Sequence, residues 1–118
     1  MDADGRDAPD ARVWEVLQLV QLRYAEQWSL EKLAIHVNLS GRQLDRLFSR
    51  HFGRTPMALL KVTRLDRAAE LLGTSHLRVK EIMTRVGFNH CGHFVDDFIG
   101  QFGASPTEYR RAKNVHMS

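Results

Sequence analysis

Several features that mark other protein classes are scarce in this sequence. Its 118 residues include one cysteine, Cys91, which excludes a scaffold held by internal disulfides and favours a reducing compartment. No apolar run approaches the roughly 18 residues of a membrane span, and the first residues form no apolar signal core. The sequence has only 3 prolines, and 43% of its residues are hydrophobic, which argues against a disordered or collagen-like chain. We therefore expect one folded domain, or two very small ones, in the cytoplasm.

Charge is divided unevenly along the chain. Residues 1–10 carry four aspartates against Arg6, a net charge of −3, so residues 11–118 carry 16 Lys and Arg against 10 Asp and Glu, or +6. A basic body favours a polyanionic partner, because neutralised phosphates release condensed counterions. We expect the acidic residues 1–10 to form a disordered arm.

Apolar residues recur at three- and four-residue steps along most of the chain, and no alternating run of strand length is present. Ser29, Ser40 and Ser105 are candidate helix caps, and Asn38 and Gly73 are candidate helix ends. The pattern predicts an all-α fold of about seven helices, near residues 11–26, 29–37, 40–52, 56–72, 79–86, 90–102 and 106–111.

The sequence also repeats itself once. A shift of 50 residues pairs Leu44, Phe48, Phe52, Gly53 and Pro56 with Phe94, Phe98, Phe102, Gly103 and Pro106. Upstream the shift is 49, which gives the second copy one extra residue in its turn. Two copies are too few for a solenoid, so we predict two subdomains connected by the long helix at 56–72.

Each copy has the pattern of a helix-turn-helix, whose second helix presents its outer face to a DNA major groove. In the first copy Leu44, Leu47 and Phe48 are predicted to face inward, which turns Arg42 and Arg46 outward. The guanidinium fork matches the edge of guanine and also binds phosphate. The alternative is a solvated helix face that happens to be rich in arginine.

Four spaced blocks stand out across the two copies: SGRQLDRLF (40–48), RLDRAAELL (64–72), GF (87–88) and FGASPTEYR (102–110). Together they resemble the DNA-binding domain of the AraC/XylS family of bacterial transcription regulators. The resemblance implies two helix-turn-helix subdomains joined by a linker helix, with their recognition helices in successive major grooves. It also implies base contacts from Arg42, Asp45 and Arg46.

The second copy departs from that family's pattern. Its recognition helix is predicted to expose Cys91, Gly92, His93, Val95 and Asp96, and residues 89–103 contain two aspartates and no Lys or Arg. Because carboxylates are repelled by phosphates, we expect the first copy to supply most base specificity. The second copy is expected mainly to position the domain, or not to contact DNA.

Two further residues of the second copy conflict with the pattern. Met83 occupies the position of a small residue before the turn, which predicts wider helix spacing or repacking. Arg78 stands where a capping Ser or Thr is usual.

The remaining polar candidates have two interpretations each. Phosphate contacts are expected from Ser29, Ser40, Gln43, Arg50, Arg54, His90 and His93. A metal bound by His90, Cys91 and His93 is a weaker alternative, because a fourth ligand and a CxxC pair are both lacking. Arg64 and Arg67 are expected to pair with neighbouring acids rather than DNA. Arg110, Arg111 and Lys113 are expected to be a charged chain end, with phosphate contact as the alternative.

The sequence as a whole predicts a sequence-specific DNA-binding domain of a transcription regulator, without catalysis, cofactor or metal. We expect double-stranded DNA as partner, RNA polymerase as a candidate second partner, no membrane, and location at the nucleoid. One chain is expected to bind DNA as a monomer, and as a dimer if it belongs to a longer regulator. The rival hypothesis is a helical protein-interaction module. The predicted segments are an arm (1–10), a first subdomain (11–54), a linker helix (55–73), a second subdomain (74–112) and a tail (113–118).

Overall fold

The structure, a computed structural model, describes residues 10–117, with side chains described through Asn114. Within this range the chain forms seven α-helices and no strand, as the sequence pattern predicted. The helices are α1 (Ala11–Leu22), α2 (Leu30–His36), α3 (Gly41–Phe52), α4 (Pro56–Thr74), α5 (Val79–Arg85), α6 (Cys91–Phe102) and α7 (Pro106–Met117). None of these helices is both long and apolar enough to cross a bilayer.

The chain divides into two compact units, unit 1 through Lys61 and unit 2 from Val62. The division falls inside α4, so this helix belongs in part to each unit. Except for Asp10, the predicted acidic arm lies outside the described residues.

Unit 1 is built by packing α1 and α2 against α3. Its core consists of the buried residues Val13, Val16, Val20, Leu33, Ala34, Val37, Leu44, Phe48 and Leu60. Trp14 covers one edge of this core, with its ring 5.4 Å from that of Phe52. Asp10 caps α1, and its hydrogen bonds from Arg12 lower the pKa of the Asp10 carboxyl to about 2. Position 10 is therefore part of the folded unit.

Unit 2 places α6 between α5 and α7, which both pack against it. Its buried apolar residues are Leu65, Ala68, Ala69, Leu72, Ile82, Met83, Val86, Phe94 and Phe98. Tyr109 of α7 lies edge-on to Phe98, with 5.4 Å between ring centroids. Arg110 of the same helix donates to the carbonyls of Leu72 and Ser75, at 3.0 and 3.2 Å. Arg110 is therefore a structural tie at the end of α4 and not part of a solvated chain end.

The structure confirms the internal repeat in its helices. The seven-residue α2 and α5 are offset by 49 positions, and the 12-residue α3 and α6 are offset by 50. The extra residue of the second copy therefore lies in the turn between α5 and α6.

The first helix is shorter than predicted and ends at Leu22 rather than residue 26. The Arg23 backbone N–H still donates to the Leu19 carbonyl, but the indole N–H of Trp28 donates to the Arg23 carbonyl at 2.9 Å. The chain then turns, and Leu22 is left 77% exposed. Leu22 follows the apolar period of this helix, but its side chain lies at the end of the helix and outside the core.

Two later helices are longer than predicted. Helix α4 passes through Gly73 and ends at Thr74, where Ser75 donates to the Leu71 carbonyl with both its backbone N–H (3.0 Å) and its hydroxyl (2.7 Å). Helix α7 continues to Met117 instead of ending near Arg111. Glycine lowers helix propensity by only about 1 kcal/mol, so Gly73 did not have to end α4.

Candidate nucleic-acid interface

The turn between α2 and α3 is closed by local backbone geometry. Asn38 has φ +57°, the only positive φ of a non-glycine residue in the described range. Asparagine tolerates this left-handed conformation because its short polar side chain can bond locally. The Leu39 N–H then donates to the Ala34 carbonyl at 3.0 Å. Ala34 is buried, and its small side chain allows α2 and α3 to approach closely.

A complete capping box fixes the first turn of α3. The Ser40 hydroxyl accepts the Gln43 backbone N–H at 3.1 Å, and the Gln43 side-chain carbonyl accepts the Ser40 N–H at 3.0 Å. Ser29 caps α2 in the same way by accepting the Lys32 N–H at 3.1 Å. Three of the seven predicted phosphate contacts, Ser29, Ser40 and Gln43, therefore have a local structural role, although the hydroxyls and the amide NH₂ retain hydrogens to donate.

One face of α3 is anchored in unit 1. Leu44 and Phe48 are completely buried, and Phe48 lies 4.7 Å from Phe52, ring centroid to ring centroid. Leu47 packs partly buried against the same core. Helix α3 is thereby held in one rotational setting, and its opposite side faces solvent.

That opposite side carries the arginine face, which we define as Arg42, Arg46 and Arg50. The three side chains are exposed and lie one helical turn apart. Within residues 10–117 no salt bridge engages them, and Asp45 lies partly buried beside them. Arg54 follows the helix and is exposed as well. From Gly41 to Arg54 the chain carries four arginines against Asp45, a net charge of +3.

The second copy repeats this architecture with different chemistry. Phe94 and Phe98 anchor α6 as Leu44 and Phe48 anchor α3. The exposed side of α6 carries Cys91, His93 and Asp96, and the helix contains no Lys or Arg. The rings of His90 and His93 lie 5.2 Å apart and both residues are exposed. Among the described residues no three His, Cys, Asp or Glu side chains form a group that could hold a metal ion.

Met83 is buried beside the turn of the second copy. Its side chain is 6% exposed, and the Phe88 N–H donates to the Met83 carbonyl at 3.0 Å, the same length as the Leu39–Ala34 bond of the first copy. Gly87, with φ +104°, takes the place of Asn38 in this turn. The backbone hydrogen bond of the turn is therefore the same in both copies, and a flexible methionine side chain is buried at the position where the pattern has a small residue.

Known proteins share both the sequence pattern and the fold. Residues 33–112 match the family described as a helix-turn-helix domain. A probable AraC family transcriptional regulator from Rhodopseudomonas palustris superposes with a TM-score of 0.78 at 29% identity, covering 88% of this chain and 98% of that one. The chain belongs to the AraC/XylS family.

Two further relatives extend the comparison of this AraC/XylS domain. The transcriptional activator RhaS of Enterobacter sp. is 32% identical over 97% of this chain, and the chain spans 41% of that relative's length. The DNA-binding domain of AdpA, solved in complex with a target DNA, superposes with a TM-score of 0.85 at 32% identity and covers 89% of this chain and 95% of its own.

Several charged residues of the AraC/XylS domain serve the fold. Arg67 pairs with Glu70 at 2.9 Å, and Arg64 is half-buried, where desolvation lowers the pKa of its guanidinium. Arg110 is held by backbone carbonyls, as described above. The Lys113 ammonium lies 5.4 Å from the centre of the Tyr109 ring.

Sequence reasoning missed one cationic surface of this domain. Arg78, Lys80 and Arg85 are exposed and line a groove of about 520 Å³ on α5, together with Glu81 and Thr84. The signal was present, since three cations occur within eight residues. The helix-turn-helix pattern did not indicate it, because in this motif the second helix of each copy reads bases, whereas α5 is the first.

Proposed function

We propose that this chain is the sequence-specific DNA-binding domain of a transcription regulator, and that α3 enters the major groove. The observation that carries the proposal is the arginine face, exposed and without salt bridges in the described range, on a helix anchored by Leu44 and Phe48. A B-DNA major groove about 12 Å wide admits one helix in this setting. The AdpA domain, found with its target DNA, supports the same assignment.

In this proposal Arg42 and Arg46 read base edges. Each guanidinium can donate two parallel hydrogen bonds to O6 and N7 of a guanine, and Asp45 can accept one from a cytosine amino group. Arg50, further along the helix, and Arg54, just after its end, bind phosphates and set the register. The side-chain donors of the cap residues Ser29, Ser40 and Gln43 add phosphate contacts.

The second copy contributes less to base reading. Helix α6 contains two aspartates, of which Asp96 is exposed, and no Lys or Arg, so we expect it to be repelled by phosphates where α3 is attracted. At α6 itself, we assign contacts with phosphate to His90 and His93. Because both copies belong to one chain, we infer that a single molecule binds its site without a second subunit. The proposed function includes no catalysis. We propose that the protein acts at the nucleoid.

The experiment begins with selection of bound sites from a random DNA pool, which supplies the operator. Arg46→Ala is expected to lower affinity for that site by about 1–3 kcal/mol, roughly 5- to 150-fold, and to relax base preference at one position. Arg46→Lys retains the charge but lacks the fork, so base preference should relax with little change in salt dependence. Arg111→Ala, an exposed arginine of α7, is the matched control.

Arg111→Ala should keep the wild-type affinity and base preference. If Arg46→Ala keeps both as well, Arg46 does not read a base and the proposed role is refuted. Thermal melting of all three variants checks that they are folded. Unaltered melting is expected, because both arginines are exposed.

The second candidate function is a protein-interaction module, and the acidic exposed side of α6 is the observation that favours it. The two functions differ in their response to salt. Phosphate contacts give a steep linear fall of log affinity with log salt concentration, whereas a protein interface has no such requirement. RNA polymerase is a candidate for that partner.

A further inference from the structure

The two copies distribute their charge in opposite ways. In the first copy the helix before the turn, α2, contains one glutamate and one lysine and is neutral, while the segment from Gly41 to Arg54 carries +3. In the second copy α6 carries −2, and Arg78, Lys80 and Arg85 against Glu81 leave +2 at α5. In the second helix-turn-helix the cations therefore lie at the N-cap and on the helix before the turn, whereas in the first they lie on and just after the helix that follows the turn.

All four charged side chains line the same groove on α5. Glu81 is engaged locally, since its carboxylate accepts the Arg78 backbone N–H at 2.8 Å and lies 3.5 Å from the Arg78 Nε. That hydrogen bond, with the charges of Arg78 and Arg85, holds the pKa of Glu81 below its usual value. Glu81 therefore remains ionised, and the three cations outnumber it on an exposed surface.

We propose that Arg78, Lys80 and Arg85 form the phosphate-binding surface of the second copy, and that this copy attaches to the DNA backbone through α5 rather than reading bases through α6. The proposal rests on the DNA-binding function proposed above. In helix-turn-helix proteins the helix before the turn crosses the backbone, so cations there meet phosphates and not base edges. Lysine and arginine bind phosphate with no sequence requirement.

The double variant Lys80→Gln/Arg85→Gln tests this surface. The matched control is Arg111→Gln/Lys113→Gln on α7, which removes the same charge from exposed residues of the same unit. Two lost phosphate contacts should reduce the slope of log affinity against log salt by about 2, so that the loss of affinity between about 50 and 200 mM salt becomes roughly tenfold smaller. Base preference in the selected site should stay unchanged.

Glu81→Gln provides the opposite test. Glutamine retains the oxygen that accepts the Arg78 N–H but removes the negative charge, so affinity for DNA should rise and the melting temperature should change little. If α5 lies away from DNA, Glu81→Gln should leave the affinity for DNA unchanged, and that result would contradict the inference.

The outcomes separate this inference from the function on which it rests. If the wild-type chain binds no DNA, the DNA-binding function itself fails. If the wild type binds and Lys80→Gln/Arg85→Gln keeps the wild-type slope, only the α5 surface is overturned. An equal loss of slope in the α7 control would show a general effect of net charge and would also overturn the inference.

Discussion

Ser40→Ala is expected to weaken DNA binding through the stability of the first turn of α3. The substitution removes the hydroxyl that accepts the Gln43 N–H at 3.1 Å. Both residues are exposed at the start of the helix. Loss of a serine N-cap destabilises by about 1 kcal/mol. Arg42 lies in the turn that frays, so affinity should fall by at most about fivefold if all of that free energy is needed to order the turn for binding.

The chain contains a matched control for this experiment. Ser105 and Glu108 form the same reciprocal bonds at the start of α7, at 3.1 and 2.9 Å. Ser105→Ala should therefore lower the free energy of unfolding by a similar amount without changing affinity for DNA. Chemical denaturation gives the first quantity, and fluorescence anisotropy with the selected operator gives the second.

A rescue variant separates capping from direct contact with phosphate. Asparagine caps helices about as well as serine, so Ser40→Asn should restore both stability and affinity. If Ser40→Ala lowers stability as Ser105→Ala does but binds DNA like the wild type, the ordered first turn of α3 is not needed and the reasoning is refuted. If Ser40→Asn restores stability alone, the hydroxyl itself contacts DNA.

Two other predictions concern the second recognition helix. Asp96→Ala should leave affinity for DNA unchanged or raise it, since it removes an exposed carboxylate from α6; a clear loss in the same anisotropy assay would show that Asp96 contacts DNA. Gly100→Ala should raise the free energy of unfolding by about 0.5–1 kcal/mol, because glycine inside a helix is unfavourable and an added Cβ would meet no atom within 4 Å. Destabilisation measured by denaturation would contradict the geometry of α6.

Local chemistry allowed much of the fold to be predicted. Asn38 and Ser40 mark the turn of the first copy because a left-handed backbone and an N-cap each require particular side chains, and both requirements are visible within a few residues. The internal repeat then located the second copy. Periodicity alone could not find the end of α1, because Tyr24 continues the pattern while the bond from the Trp28 indole to the Arg23 carbonyl turns the chain.

The candidate site was predicted in part for the same reason. The outward position of Arg42 and Arg46 follows from the 3.6-residue period once Leu44 and Phe48 are assigned to the core. The α5 surface was not predicted, because three cations in one segment need not share a surface. The fold places their side chains around one groove.

What the sequence determined by itself is the all-α class, the doubled helix-turn-helix and the direction in which α3 presents its arginines. The class and the direction of the arginines depend on helical period and on caps, which act over four residues or fewer, and the doubling follows from the repeat at 49 and 50 residues. Only the tertiary structure decided which charges serve the fold. Arg110 looked like a surface cation, but it bonds the carbonyl of Leu72, 38 positions earlier, because packing of the helices in unit 2 brings them together. Met83 likewise fits a position predicted for a small residue, and such accommodation depends on space that distant parts of the chain enclose.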